Sequence, residues 1–172
     1  MKKLRLIVTE QCNRNCSECC NNDIKPTGEL DDKLLKSYHM ILITGGEPFL
    51  FPNELFSFLQ ECMFCPSKVI LYTAIYPEIT SDELASILYL LDGITFTIHD
   101  KKGVDDFIKL NELIKNSKKM GKRLNKRVNI FTDVQLPPIN LYGWNVKFIK
   151  WIKNCPLPKD EELLILNKPW KK

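Results

Sequence analysis

Apolar residues along this chain gather into six short runs: "LRLIV" at 4–8, "MILIT" at 40–44, "KVILYT" at 68–73, "GITFTI" at 93–98, "RVNIFT" at 127–132 and "ELLIL" at 162–166. Each is short and rich in β-branched residues, which predicts a mostly buried strand. Between the runs the period changes. Leu55, Phe58, Leu59 and Cys62 fall at i, i+3, i+4 and i+7, and Leu84, Ile87, Leu88 and Leu91 repeat the pattern, so both stretches predict amphipathic helices. Thr80 and Glu83 form a capping box for the second. Further helices are predicted at 31–38, at 104–120 on Val104, Phe107, Leu110 and Ile114, and at 145–154 on Val146, Ile149 and Ile152.

Strand and helix in alternation imply parallel pairing, right-handed crossovers and helices outside the sheet, an α/β class. Six units do not fill an eight-fold barrel, which leaves a curved partial (β/α)6 barrel or a flat doubly wound sheet. Both place ligands at the carboxyl ends of the strands. The residues beyond those ends are 9–20, "GGEP" at 45–48, 72–76, His99 and Asp100, Thr132 and Asp133, and Asn167 and Lys168.

The composition is that of an ordinary globular protein, 44% hydrophobic and 27% charged, and 172 residues read as one domain over 1–172. No apolar run approaches the ~20 residues of a membrane helix, and the start "MKKLRLIVTEQCN" meets a Glu and a Cys before a signal-peptide core could form. The expected location is the cytoplasm, where thiols stay reduced, and seven cysteines is an odd number for disulfide pairing. The net charge of +4 is concentrated at 115–127 and in the tail, and reads as a solvated helix end in preference to a nucleic-acid patch.

Four of the cysteines crowd into "TEQCNRNCSECCN" at 9–21, where Cys12, Cys16 and Cys19 have the spacing C-x3-C-x2-C. Three thiolates on one loop can hold three corners of a cubane cluster and leave the fourth iron for a non-protein ligand. Structural zinc more often takes four ligands in two close pairs, and Cys62 with Cys65 supplies one such pair, so a zinc reading stays open. Cys62 also fits as a core residue on its helix. "ITGGEPFL" follows the second run directly. Its glycines would let a ligand approach the backbone and leave amide hydrogens free, Glu47 could accept from a cationic amine, and Pro48 stiffens the exit toward a helix starting near Asn53.

These residues together resemble the radical S-adenosylmethionine enzymes, whose pattern is C-x3-C-x2-C after the first strand of a partial (β/α)6 barrel and G-G-E-P after the second. The resemblance implies that Cys12, Cys16 and Cys19 bind a [4Fe-4S] cluster whose unique iron is chelated by the methionine moiety. It implies that Gly45, Gly46 and Glu47, with Pro48 completing the motif, hold that moiety's amino group. In such enzymes the reduced cluster passes one electron to the sulfonium, the bond to the 5′ carbon breaks, and a 5′-deoxyadenosyl radical abstracts hydrogen from substrate. Thr97 and His99 would contact the ribose and Ile130 the adenine. A one-electron reductant such as flavodoxin or ferredoxin is an implied partner, and Lys118, Lys119, Lys122 and Arg123 could dock it.

Two positions depart from the pattern: Glu18 stands where an aromatic residue usually precedes the third cysteine, and Cys20 permits an alternative C-x3-C-x3-C register. The open rim suits a large substrate or a mobile lid over 133–144, with an ordinary packed crossover as the other reading of that segment. The resemblance leaves two activities, direct modification of a peptide, nucleoside or metabolite, or activation of a glycyl-radical enzyme. A non-catalytic zinc module and a cluster-based redox sensor are the rival classes.

Overall fold

In the computed structural model of the chain, residues 2–14, 16, 19, 25–30, 32–117, 123–152 and 156–171 are described. Among them, eight strands appear: β1 (Lys3–Thr9), β2 (Glu29–Leu30), β3 (Met40–Gly45), β4 (Lys68–Thr73), β5 (Gly93–Ile98), β6 (Asn125–Phe131), β7 (Asn145–Ile149) and β8 (Glu161–Leu166). The α-helices are α1 (Pro52–Cys62), α2 (Ser81–Leu90) and α3 (Lys101–Asn116). All neighbouring strands run parallel, in the order β2-β8-β1-β3-β4-β5-β6-β7. No described helix is long and apolar enough to cross a membrane.

Alternation along each strand sorts side chains onto two layers. Leu4, Leu6, Val8, Ile41, Ile43, Phe96 and Val128 are 0% exposed and belong to the core that the helices cover. The residues of opposite parity face a common space: Arg5, Thr44, Tyr72, Thr97, Ile149 and Leu163, one each from β1, β3, β4, β5, β7 and β8, line one cavity of about 330 Å³. In a flat sheet β8 and β7 would lie about 29 Å apart at the usual strand spacing, too far to share it. The sheet is therefore curled into a partial barrel, and the doubly wound alternative falls.

Two strands exceed the six expected. β2 is two residues long and too short to show a period. The helix predicted over 145–154 is corrected: residues 145–149 form β7, in register with β6 from Arg127↔Asn145 to Phe131↔Ile149. The spacing of Val146, Ile149 and Ile152 suits a helix, but the open edge of β6 offers unpaired donors and acceptors to a segment with β-branched and aromatic residues. Residues 31–38 also differ, forming a 3-10 helix over Asp32–Ser37. α3 starts earlier than the periodicity suggests because Asp100 caps it, its Oδ1 accepting from Gly103 N at 2.7 Å. The capping box of α2 is present, with Glu83 N donating to Thr80 Oγ1 at 3.3 Å and Thr80 N to Glu83 Oε2 at 2.8 Å.

The segment 133–144 is a packed crossover and not a lid. Trp144 is 8% exposed and meets Phe107 edge-on at 4.8 Å, and its indole Nε1 donates to Asn111 Oδ1 at 2.8 Å. Asn111 Nδ2 in turn donates to Asn140 O at 3.1 Å. At the opposite rim Arg123 donates to the carbonyls of Tyr89 and Leu91, tying down the end of α2. It is thus occupied as a cap, while Lys118, Lys119 and Lys122 lie outside the described residues.

Trp144→Phe keeps the ring on Phe107 but orphans the buried Asn111 oxygen, so urea unfolding should show a loss of about 1–3 kcal/mol. Tyr142→Phe, at an 89% exposed position, should stay within about 0.5 kcal/mol of the parent. Equal effects at the two positions would contradict this packing.

Candidate functional site

β1 ends at Thr9 and the chain turns at once into the cysteine loop, which the turn after β3 holds in place. Gly46 N donates to Thr9 O at 2.6 Å and Glu47 N to Gln11 O at 2.8 Å. The approach demands glycine. Gly45 has φ +126°, and a Cβ at Gly46 would stand 1.9 Å from Gln11 O. The amide of Gly46, expected to be free for a ligand, is instead spent on the cysteine loop, as is that of Glu47. Thr9 is fixed further by the C-terminal segment, its Oγ1 donating to Trp170 O at 2.8 Å while Trp170 N donates to Val8 O at 2.8 Å.

Glu47 points inward from this turn and is 2% exposed. Its Oε1 accepts from Phe49 N at 3.1 Å and Thr73 Oγ1 at 2.8 Å, and its Oε2 from Ala74 N at 2.9 Å. The carboxylate so joins β3 to the end of β4. Burial nevertheless pushes its pKa up to about 7, against the pull of those hydrogen bonds and of Arg14. A carboxylate has about four acceptor positions and three are filled here, which leaves room for one more donor. Pro48 is buried, opens the 3-10 turn Pro48–Leu50 that leads into α1, and does not line the cavity.

Cys12, Cys16 and Cys19 line the same cavity as Gly45, Gly46 and Glu47, so segments far apart in sequence meet at the carboxyl rim. Burial raises the Cys12 and Cys16 thiols above their ordinary range, and the charge of Cys19 adds to it in both. Among the described residues, no three His, Cys, Asp or Glu side chains are gathered closely enough to hold a single metal ion. A cubane takes one thiolate per iron, so its ligand sulfurs stand further apart than those around one ion, and three thiols sharing one cavity wall fit that donor set. Cys62 is 3% exposed in the core with its thiol pushed up to about 12 by burial, and neither it nor Cys65 lines the cavity. The second pair required by the zinc reading is therefore not brought to the loop. Glu18, Cys20 and Cys155 lie outside the described residues.

Thr97 and His99 line the cavity. Ile130 does not, which corrects its expected place beside the ligand: it is 0% exposed within the core, one residue out of phase with the cavity face. Its neighbour Phe131 has the right parity, and its ring stacks on His99 at 4.9 Å and on Trp151 at 4.3 Å. No local sequence pattern signals this aromatic wall, because its residues come from three strand ends and the spacing around Trp151 suits a helix. His99 Nδ1 is buried without a hydrogen-bond partner among the described residues, and burial, followed by the charge of Arg14, lowers the imidazole to about 4. A larger cavity of about 660 Å³, with Asn13, Tyr76, Asp106 and Lys109 among its walls, lies on the other side of the loop and includes no cysteine.

No protein-family model matches the chain, and no curated protein matches it. Among solved structures, the crystal structure of BtrN in complex with AdoMet and 2-DOIA is similar, with a TM-score of 0.51 and 22% sequence identity over 72% of this chain and 55% of that one. The chain thus spans about half the length of BtrN. The likeness shows the fold, a parallel α/β partial barrel.

The two shifted groups make a prediction for the metal-free protein. Glu47 keeps its proton in the folded state up to about 7 and loses it near 4.5 when unfolded, so its stabilisation is full below pH 4.5 and disappears as pH rises through 7. His99 resists protonation down to about 4 against 6.5 unfolded, so its contribution is full above pH 6.5 and disappears as pH falls toward 4. The slopes oppose each other, each on the order of 3 kcal/mol at most. Taken relative to the parent at each pH, urea midpoints should therefore rise with pH in Glu47→Gln and fall with pH in His99→Phe; relative slopes of the same sign in both would contradict the assignment.

Proposed function

We propose that this chain is a radical S-adenosylmethionine enzyme that abstracts hydrogen from a peptide, nucleoside or metabolite. The observation that carries the reading is the convergence of Cys12, Cys16, Cys19, Gly45, Gly46 and Glu47 on one cavity at the carboxyl rim of a partial barrel. Three thiols suit three irons of a [4Fe-4S] cluster and leave the fourth for the amino and carboxylate groups of AdoMet. When bound, the cluster supplies the electron that cleaves AdoMet reductively to a 5′-deoxyadenosyl radical. The fold neighbour BtrN, crystallised with AdoMet and 2-DOIA, supports AdoMet as the ligand class.

The chain's own residues then have separate tasks. Glu47 would accept an N–H from the ligand's amino group at the acceptor position that Phe49, Thr73 and Ala74 leave open. His99, Phe131 and Trp151 offer the aromatic faces that Glu18 cannot, and would stack the adenine. His99 stays neutral at physiological pH and adds no second positive charge beside the sulfonium. Arg5, Tyr72 and Leu163 line the barrel interior below the rim and would meet the substrate. A flavodoxin or ferredoxin supplies the electron, and the reaction is placed in the cytoplasm. That interior space favours direct modification over glycyl-radical activation, in which the partner protein carries the reacting residue.

Anaerobic reconstitution with iron and sulfide should give a brown protein that releases 5′-deoxyadenosine when reduced with AdoMet present. Replacing Cys12, Cys16 and Cys19 together by alanine should remove both iron and cleavage, while Cys62→Ala should retain them. Full iron retention in the triple variant, or a colourless protein carrying zinc, would overturn the proposal.

A further inference from the structure

Arg14 stands between the first two cysteines of the motif. Its side chain is only 8% exposed. It reaches from the loop to the start of α3, where Nη1 donates to Asp100 Oδ2 at 2.9 Å. Nη2 lies 3.9 Å from Asp106 Oδ2, beyond hydrogen-bond range, and both Nε and Nη2 are buried without a hydrogen-bond partner among the described residues.

This placement is unfavourable unless something completes it. A guanidinium carries five N–H donors, and leaving buried charged donors unmatched costs free energy. The group also lies against the first turn of α3, since a Cβ at Gly103 would come within 3.2 Å of Nη2, and a helix N-terminus repels cations. Asp100 offsets part of that repulsion but engages only one edge of the fork. The remaining donors belong to a side chain that lines the cavity of the three thiols and Glu47. Its charge lowers the Cys12 and Cys16 thiols against the burial that raises them.

We propose that Arg14 is an anion-binding residue, whose Nε and Nη2 donate to a negatively charged group seated against the cysteine loop. Two groups of the proposed function have this chemistry, the sulfur atoms of the cluster and the carboxylate of AdoMet, and the inference rests on that function. Arginine is suited to either, because the planar fork stays charged and presents two parallel donors. Asp100 and Asp106 hold the fork in orientation and reduce its charge only in part.

The test uses anaerobically reconstituted wild type, Arg14→Gln and Arg14→Lys, each assayed for iron content, midpoint potential without AdoMet, and AdoMet dissociation constant. If the anion is cluster sulfur, Arg14→Gln moves the potential to more negative values, since a positive charge beside the cluster has gone, and AdoMet affinity changes little. If it is the carboxylate, AdoMet binding weakens about ten- to a hundredfold, whatever the potential without AdoMet does. Should Arg14→Gln not fold, Arg14→Lys reports the same two effects in smaller measure, because it keeps the charge and loses the fork. A wild type that holds its cluster and binds AdoMet, beside a folded variant matching it in both potential and affinity, overturns the role of Arg14 and leaves the proposed function standing. A wild type without iron overturns both.

Discussion

Two backbone hydrogen bonds, from Gly46 N to Thr9 O and from Glu47 N to Gln11 O, make the cysteine loop and the turn after β3 into one object. Everything at the rim depends on that junction. It fixes where Cys12 begins relative to the barrel interior, and it requires two consecutive glycines because the backbones approach too closely for any Cβ. Parallel pairing of β1 with β3 brings the two segments side by side, so the fold itself delivers the cysteines to Glu47. The C-terminal segment closes the arrangement from behind through Trp170 and Thr9.

Electrostatics then distinguish the site from the rest of the barrel. One carboxyl, one guanidinium and one imidazole are all withdrawn from water within a single neighbourhood, and among the described residues only the guanidinium has direct ion pairs, to Asp100 and Asp106. Arg14 is felt at Cys12, Cys16, Glu47 and His99. An interior that only needed stability would replace such groups with apolar side chains, because buried charges are costly unless completely paired. Elsewhere the same barrel does so: Leu6, Ile43, Leu71 and Phe96 are 0% exposed and polar partners are absent from their side chains. The contrast supports a site arranged for a ligand bearing both a cation and an anion.

Much of this was legible in the sequence because it rests on short-range pattern. Strand runs and helix periods gave the six central strands, α1 and α2, and the two motifs fell after the expected strands. What stayed hidden depends on tertiary context. Residues 145–149 carry a spacing compatible with a helix and become a strand because β6 leaves an edge to pair with. Ile130 and Phe131 are both apolar, and the pleat alone decides that Phe131 faces the cavity. Trp151 reaches the cavity only because β7 is a strand, which its local spacing does not show. Arg14 carries no signal in the sequence, since only the fold brings it to Asp100, the N-cap of α3, and to Asp106 within that helix.

The central claim is that three thiols of one loop leave a metal corner to a ligand held by the neighbouring turn. Mössbauer spectroscopy of protein reconstituted with 57Fe, recorded with and without AdoMet, addresses it most directly. The account predicts a cubane spectrum in which one iron changes its parameters on addition of AdoMet while the other three keep theirs. A spectrum without a cubane, or a cubane whose irons are all indifferent to AdoMet, would contradict it.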